Sequence, residues 1–154
     1  MKRLKPGILC LLVFSICAVT SAQKVSLPKP SNTVKPKLFK DIPDRLPVAS
    51  SKLNSLVTLK RGQTASVTLS DKFTFNGSIV SAASKYNDAI QSIVIKSADY
   101  PDATFTISKI KLPDGTVNYR GRIISFTHGD CFELKSDNGQ YTLVKRNFED
   151  MVND

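Results

Sequence analysis

The 154-residue sequence has no tryptophan, one histidine (His128), two glutamates (Glu133 and Glu149) and three cysteines. Each scarcity removes a class of chemistry. A single histidine cannot supply the paired imidazoles of a metal-binding helix, and no glycine-rich phosphate loop or serine-nucleophile motif is present. The aspartates are scattered, without the regular spacing of oxygen ligands that calcium requires. Asp99, Asp102, Asp114, Asp130 and Asp137 fall at turns, where short acidic side chains bond their local backbone. Two glutamates leave few carboxylates to pair across a glycosidic bond, so a hydrolase ranks third among the functional readings. No cofactor or metal site is expected, and the chain does not read as an enzyme.

The chain opens on Lys2, Arg3 and Lys5, continues as an apolar run from Ile8 to Val19, and closes on Thr20-Ser21-Ala22. A basic start, a short apolar middle and small residues at the end are the marks of a secretory signal peptide. The run falls short of the roughly 20 apolar residues that a spanning helix needs. Residues 1–22 are therefore expected to be cleaved after Ala22, leaving a secreted or periplasmic protein with no transmembrane span. Cleavage would remove Cys10 and Cys17. Cys131 would then be alone, which excludes an intramolecular disulfide and a cysteine-based zinc site.

Residues 23–61 carry nine Lys and Arg against two Asp, whereas residues 62–154 carry ten against eleven Asp and Glu. The basic character belongs to the leader. Residues 23–46, with Pro28, Pro30, Pro36 and Pro43 among lysines, have little to bury and are expected to be extended or disordered. Such an arm suits an anionic envelope surface. Nucleic acid is not an expected partner, since Phe39 is the arm's one aromatic and stacking residues are not interleaved with the lysines.

Residues 47–154 read as a single, mainly β domain. A short helix is expected over 50–58, capped by Ser50 or Ser51, with Leu53, Leu56 and Val57 on one face. Six alternating runs follow, at about 73–82, 90–97, 103–111, 116–127, 130–136 and 140–145, then a short helix over 146–152. The turns set the register. Pro113-Asp114-Gly115 as a three-residue loop, with Gly115 left-handed, places Arg120 opposite Ser108 and Arg122 opposite Thr106. Asn138-Gly139 as a type I′ turn places Leu134 opposite Leu143. His128-Gly129 as a two-residue loop would place Ile123 opposite Leu134, Lys135 across from Arg122, and Cys131 across from Phe126.

This register collects Phe73, Phe75, Ile93, Ile95, Phe105, Ile107, Tyr119, Ile123, Phe132 and Tyr141 on one face. A sheet so apolar on one side must close on itself or be covered. The expected fold is a six-stranded antiparallel meander forming a small barrel or strongly curled sheet, with the C-terminal helix as its plug.

The other face carries two candidate contact groups. Arg120, Arg122 and Lys135 could hold a carboxylate, sulfate or phosphate, and Ile110, Leu112, Ile124 and Phe126 form a candidate apolar patch. The neighbouring pair His128 and Cys131 reads as a turn beside a buried thiol rather than a catalytic dyad. The leading functional reading is an exported, non-catalytic binding module acting on another exported protein or on an anionic surface. The alternative is a barrel-type carrier of a small apolar molecule.

Overall fold

Residues 35–152 are described by the computed structural model. The expected signal peptide and residues 23–34 lie outside the described residues. From Thr64 to Asn147, apolar and polar side chains alternate in runs broken by turns, and each run forms a strand. The elements are β1 (Arg45–Val48), α1 (Ser50–Val57), β2 (Thr64–Ser70), β3 (Phe73–Lys85), β4 (Ile90–Ser97), β5 (Thr104–Lys111), β6 (Val117–Ile124), β7 (Asp130–Asp137), β8 (Gln140–Asn147) and α2 (Phe148–Val152).

The sheet has eight strands where six are expected, all antiparallel, in the order β1-β8-β7-β6-β5-β4-β3-β2. Edge strands β1 and β2 approach each other, so the sheet is a nearly closed barrel. β2 does alternate, with Ala65, Val67 and Leu69 buried between exposed threonines and serines. Its side chains are small, and the signal is correspondingly weak. β1 lies where the leader is expected to be unstructured. It carries Pro47, which an edge strand tolerates because one row of its backbone groups needs no partner.

Two of the three predicted turns form as expected. Gly115 has φ +87°, its N–H donates to Leu112 O at 2.9 Å, and Ser108 and Thr106 pair with Arg120 and Arg122. Asn138 and Gly139 both have positive φ, with Leu134 opposite Leu143. The β6–β7 connection differs. Pairing begins at Ile124↔Cys131, so Ile123 meets Phe132 and Arg122 meets Glu133, two residues from the expected register. Neither His128 nor Gly129 adopts the positive φ that a two-residue hairpin loop needs. Gly129 instead donates its N–H to Pro36 O and accepts from Phe148 N–H, and these tertiary bonds hold a wider loop open. A shift of two preserves the faces, because side chains alternate with period two.

The interior is filled from both ends. Phe39 is fully buried, with ring centroids 5.3 Å from Phe132, 5.5 Å from Tyr100 and 6.1 Å from Phe73. Leu53, Leu56 and Val57 of α1 close the opposite end. There Asn54 Oδ1 accepts from Lys109 Nζ at 2.7 Å and from Tyr119 Oη at 3.3 Å. The plug is thus α1, not the C-terminal helix. α2 is shorter than expected and lies outside, its Met151 against Cys131 and its Phe148 against Phe126. Nor is α1 capped by a serine: Ala49 is the N-cap residue and makes no side-chain capping bond.

The leader expectation is also corrected. Phe39, Ile42 and Leu46 belong to the core, so residues 35–46 fold with the barrel. Phe39 and Ile42 pack into the barrel end, and Leu46 joins the core from β1, where it pairs with Leu143.

Two glycines test this architecture by different routes. Gly115→Val forces a branched side chain into the left-handed region and is expected to cost about 1–2 kcal/mol or more. At Gly77 an added Cβ would sit 2.2 Å from Lys96 O, a backbone atom, so Gly77→Ala should force β3 and β4 apart. Urea melts should show both losses, larger at Gly77; an unchanged midpoint for Gly115→Val would reject the bulged turn.

Candidate functional site

Two places concentrate polar groups. The first is the end of the barrel where the strap 35–44 crosses the β6–β7 loop. Asp130, only 1% exposed, accepts from Leu38 N–H (2.6 Å to Oδ1) and from Phe39 N–H (2.9 Å to Oδ2). An aspartate expected to serve its own turn instead clamps a segment 91 residues away. Lys35 Nζ donates to Phe126 O at 2.9 Å and lies 4.9 Å from the Phe148 ring centroid, fastening the strap to the loop and to α2. His128 Nδ1 lies 2.8 Å from Ser125 Oγ and 2.9 Å from Thr127 Oγ1, a local network that holds the loop.

Cys131 is buried under Met151. Burial, reinforced by the charges of Asp130 and Glu133 and partly offset by Arg146 and Arg122, pushes its thiol up to about 11. A nucleophilic cysteine needs its pKa lowered, so the shift runs against catalysis at this position. Among the described residues, no group of three His, Cys, Asp or Glu side chains converges as a metal site would require.

The second place is the outer face of β5, β6 and β7. Arg120 and Arg122 are exposed and point the same way, two residues apart and so roughly 7 Å along the strand. Gly121 lies between them, opposite Ile107, and beside them on β5 are their partners, the hydroxyl-bearing Ser108 and Thr106. Together with Glu133 and Met151 these residues line a shallow groove of about 240 Å³. Lys135 does not stand across from Arg122. The register shift brings Glu133 there, and Lys135 shares a second groove with Arg120, lined also by Asn118 and Ser136. Lys135 is ion-paired to Glu133 at 2.7 Å, and Arg146 Nε lies 4.0 Å from the other oxygen. Among the described residues, no carboxylate lies within 4.0 Å of Arg120 or Arg122.

The apolar candidates separate. Ile110 is half-buried and Leu112 exposed at one end of the β5–β6 hairpin, and Ile124 and Phe126 lie at the other, some six residues or roughly 20 Å along β6. Ile124 is buried, while Phe126 is 69% exposed and packs edge-on against Phe148 at 5.8 Å. Sequence reasoning missed the Asp130 clamp altogether. The available signal was the Leu38-Phe39 pair with Ile42, apolar residues that a purely solvated arm does not need.

Residues 35–152 thus form a nearly closed, eight-stranded antiparallel barrel with a filled interior and two neighbouring arginines on its outer face. Comparisons with protein-family models, curated proteins and solved structures find no match.

Removing the clamp should loosen the barrel end. Asp130→Ala leaves two N–H groups without acceptors, one buried and one partly so, at about 1–3 kcal/mol each. Phe39→Ala should cost about 3–5 kcal/mol. Urea denaturation of the two variants measures both. Removing residues 23–45, which include Phe39 and Ile42, should unfold the domain for the same reason.

The thiol gives a second measurement. Because the folded state holds Cys131 protonated, stability is full below the ordinary thiol range near about 8.5 and falls as pH rises through it toward the folded value. Replacing Cys131 with Ser should flatten the decline between about pH 8.5 and about 11. The native thiol should also resist a disulfide reagent that labels the unfolded chain.

Proposed function

We propose that this protein is an exported, non-catalytic binding module whose contact surface is the outer face of β5–β7. One observation carries the reading. Arg120 and Arg122 share a groove with Thr106 and Ser108, their partners on the neighbouring strand, with no carboxylate of the described residues within ion-pairing distance. Guanidinium groups so placed offer forked donors that match a carboxylate, phosphate or sulfate, and the hydroxyls beside them add neutral donors. Glu133 would oppose an anion, but Lys135 and Arg146 lie against its two oxygens and offset its charge.

The filled interior favours this surface reading over a carrier of small apolar molecules. Phe39, Phe73, Phe75, Phe105 and Phe132 occupy the volume that such a ligand would need. An eight-stranded interior can be filled by side chains or can hold one small ligand, and here the five phenylalanines fill it. Export rests on the basic start and apolar run of residues 1–22. Lys35, Lys37 and Lys40 are exposed and extend the positive surface beside Arg45, so an acidic exported protein or an anionic envelope surface is the partner class.

The test uses Arg120→Glu/Arg122→Glu. Both residues are exposed, so the double variant should melt within about 0.5 kcal/mol of the parent. Heparin, a sulfated polyanion, serves as the probe. The parent should elute from a heparin column at distinctly higher salt than the variant, as expected when two cationic contacts are lost. Equal elution would reject the arginine face, and elution unchanged here but reduced by Lys35→Gln/Lys37→Gln/Lys40→Gln would move the contact to the strap.

A further inference from the structure

β3 outruns its neighbour. β2 pairs with it only as far as Thr64↔Ser78, whereas β4 continues to Lys85↔Ile90. Residues 80–85 are exposed, and among the described residues nothing pairs with their outer edge. The direction of the free backbone groups follows from the ladders. Ile79 N–H donates to Gln63 O at 2.8 Å and Ile79 O accepts from Gly62 N–H at 2.9 Å, so Ile79 aims toward β2. The β3–β4 register then shifts between Ile79 and Ser81, with Val80 as the extra residue. Alternation restarts with Ser81 opposite Val94, and these two face each other. The same phase predicts that Ala89 on β4 faces Lys111, and Lys111 N–H does donate to Ala89 O at 2.7 Å. Ser81, Ala83 and Lys85 therefore bond β4, and Ala82 and Ser84 turn their N–H and C=O to the open edge.

We infer that this edge is where two copies of the chain pair, β3 against β3, antiparallel across a two-fold axis. Such a pair must join groups of like phase, which limits the registers. Centring on Ala82 would drive the second copy into the end of β2, and centring on Ser84 would set Ala82, whose groups face the open edge, against Tyr86, which has left the strand with φ +55°. Centring on Ala83 fits the free segment. Ala82 then meets Ser84 of the second copy, and Ser84 meets its Ala82, giving four backbone hydrogen bonds. Lys85 lies opposite Ser81, so no like charges meet. Val80, 42% exposed, and Tyr86, 77% exposed and already in the turn, flank each end of this ladder. An isologous contact of this kind closes on itself and leaves no further edge. Residues 23–34 of the same chain fit the edge poorly, since Pro28 and Pro30 lack the N–H that a ladder needs.

A cross-link tests the register. In the full chain carrying Cys10→Ser and Cys17→Ser, with Cys131 left in place, Ala83→Cys puts two thiols at a non-hydrogen-bonded antiparallel pair. Cα atoms there are about 4.5 Å apart, within disulfide reach. Mild oxidation should give a disulfide dimer about tenfold faster than Thr116→Cys, an exposed control in the β5–β6 turn, because pairing raises the local thiol concentration. Adding Ala82→Pro removes one N–H of the open edge and none of the β3–β4 ladder, so the rate should fall to the control while the melting curve stays put. Cross-linking at the control rate, or cross-linking indifferent to Ala82→Pro, would overturn the proposal. Capture of a different protein by Ala83→Cys in place of a second copy would overturn it in favour of a foreign strand.

Discussion

One carboxylate holds the barrel shut. Asp130 accepts the N–H groups of Leu38 and Phe39, and by fixing that dipeptide it sets the Phe39 ring among Phe73, Tyr100 and Phe132. Without the strap this end of an eight-stranded barrel would expose aromatic edges to water. The clamp is joined by the bonds of Gly129 to Pro36 and of Lys145 to Asp44, which hold the strap at its two ends while Asp130 holds its middle. The clamp also explains the β6–β7 loop. Asp130 must open β7 facing the strap, and Gly129 must bond Pro36 and Phe148, so the loop widens and the ladder starts two residues from where a tight turn would put it.

That register shift reorganises the outer face. A tight His128-Gly129 turn would have set Lys135 beside Arg122 and made a triad of cations. The wider loop sets Glu133 there and gives it to Lys135 and Arg146. What is left is narrower: two arginines beside two hydroxyl-bearing residues, in a groove bounded on one side by Met151 of α2. The same helix covers Cys131, and the one thiol of the described residues is both buried and harder to ionise.

The two ends of the sheet are managed unequally. β1 and β2 come together near closure, and Pro47 and the short length of β1 blunt that seam. β3 has no such protection beyond Ser78. Its last residues are small and, apart from Lys85, uncharged, and they leave the barrel as an open edge with an exposed tyrosine at its tip. Natural sheets seldom leave an edge of this kind uncovered.

Much of this was legible in the chain. Gly115 and Asn138-Gly139 impose backbone signs that admit few alternatives, and period-two alternation from Phe73 to Leu143 assigns inner and outer faces whatever the exact pairing. The faces survive even the β6–β7 error, since a slip of two residues changes partners without changing sides. What local rules could not reach were the long-range contacts: Asp130 with Leu38 and Phe39, Gly129 with Pro36, α1 rather than α2 as the plug. Short segments such as 35–48 carry too little apolar surface to declare themselves, and they order only against the meander. Local patterning is enough for an antiparallel sheet with one apolar face and for the positions of two turns. The eighth-strand closure, the partners of Arg122 and the open edge of β3 lie beyond it, because each depends on groups far apart in the chain meeting once the barrel has curled.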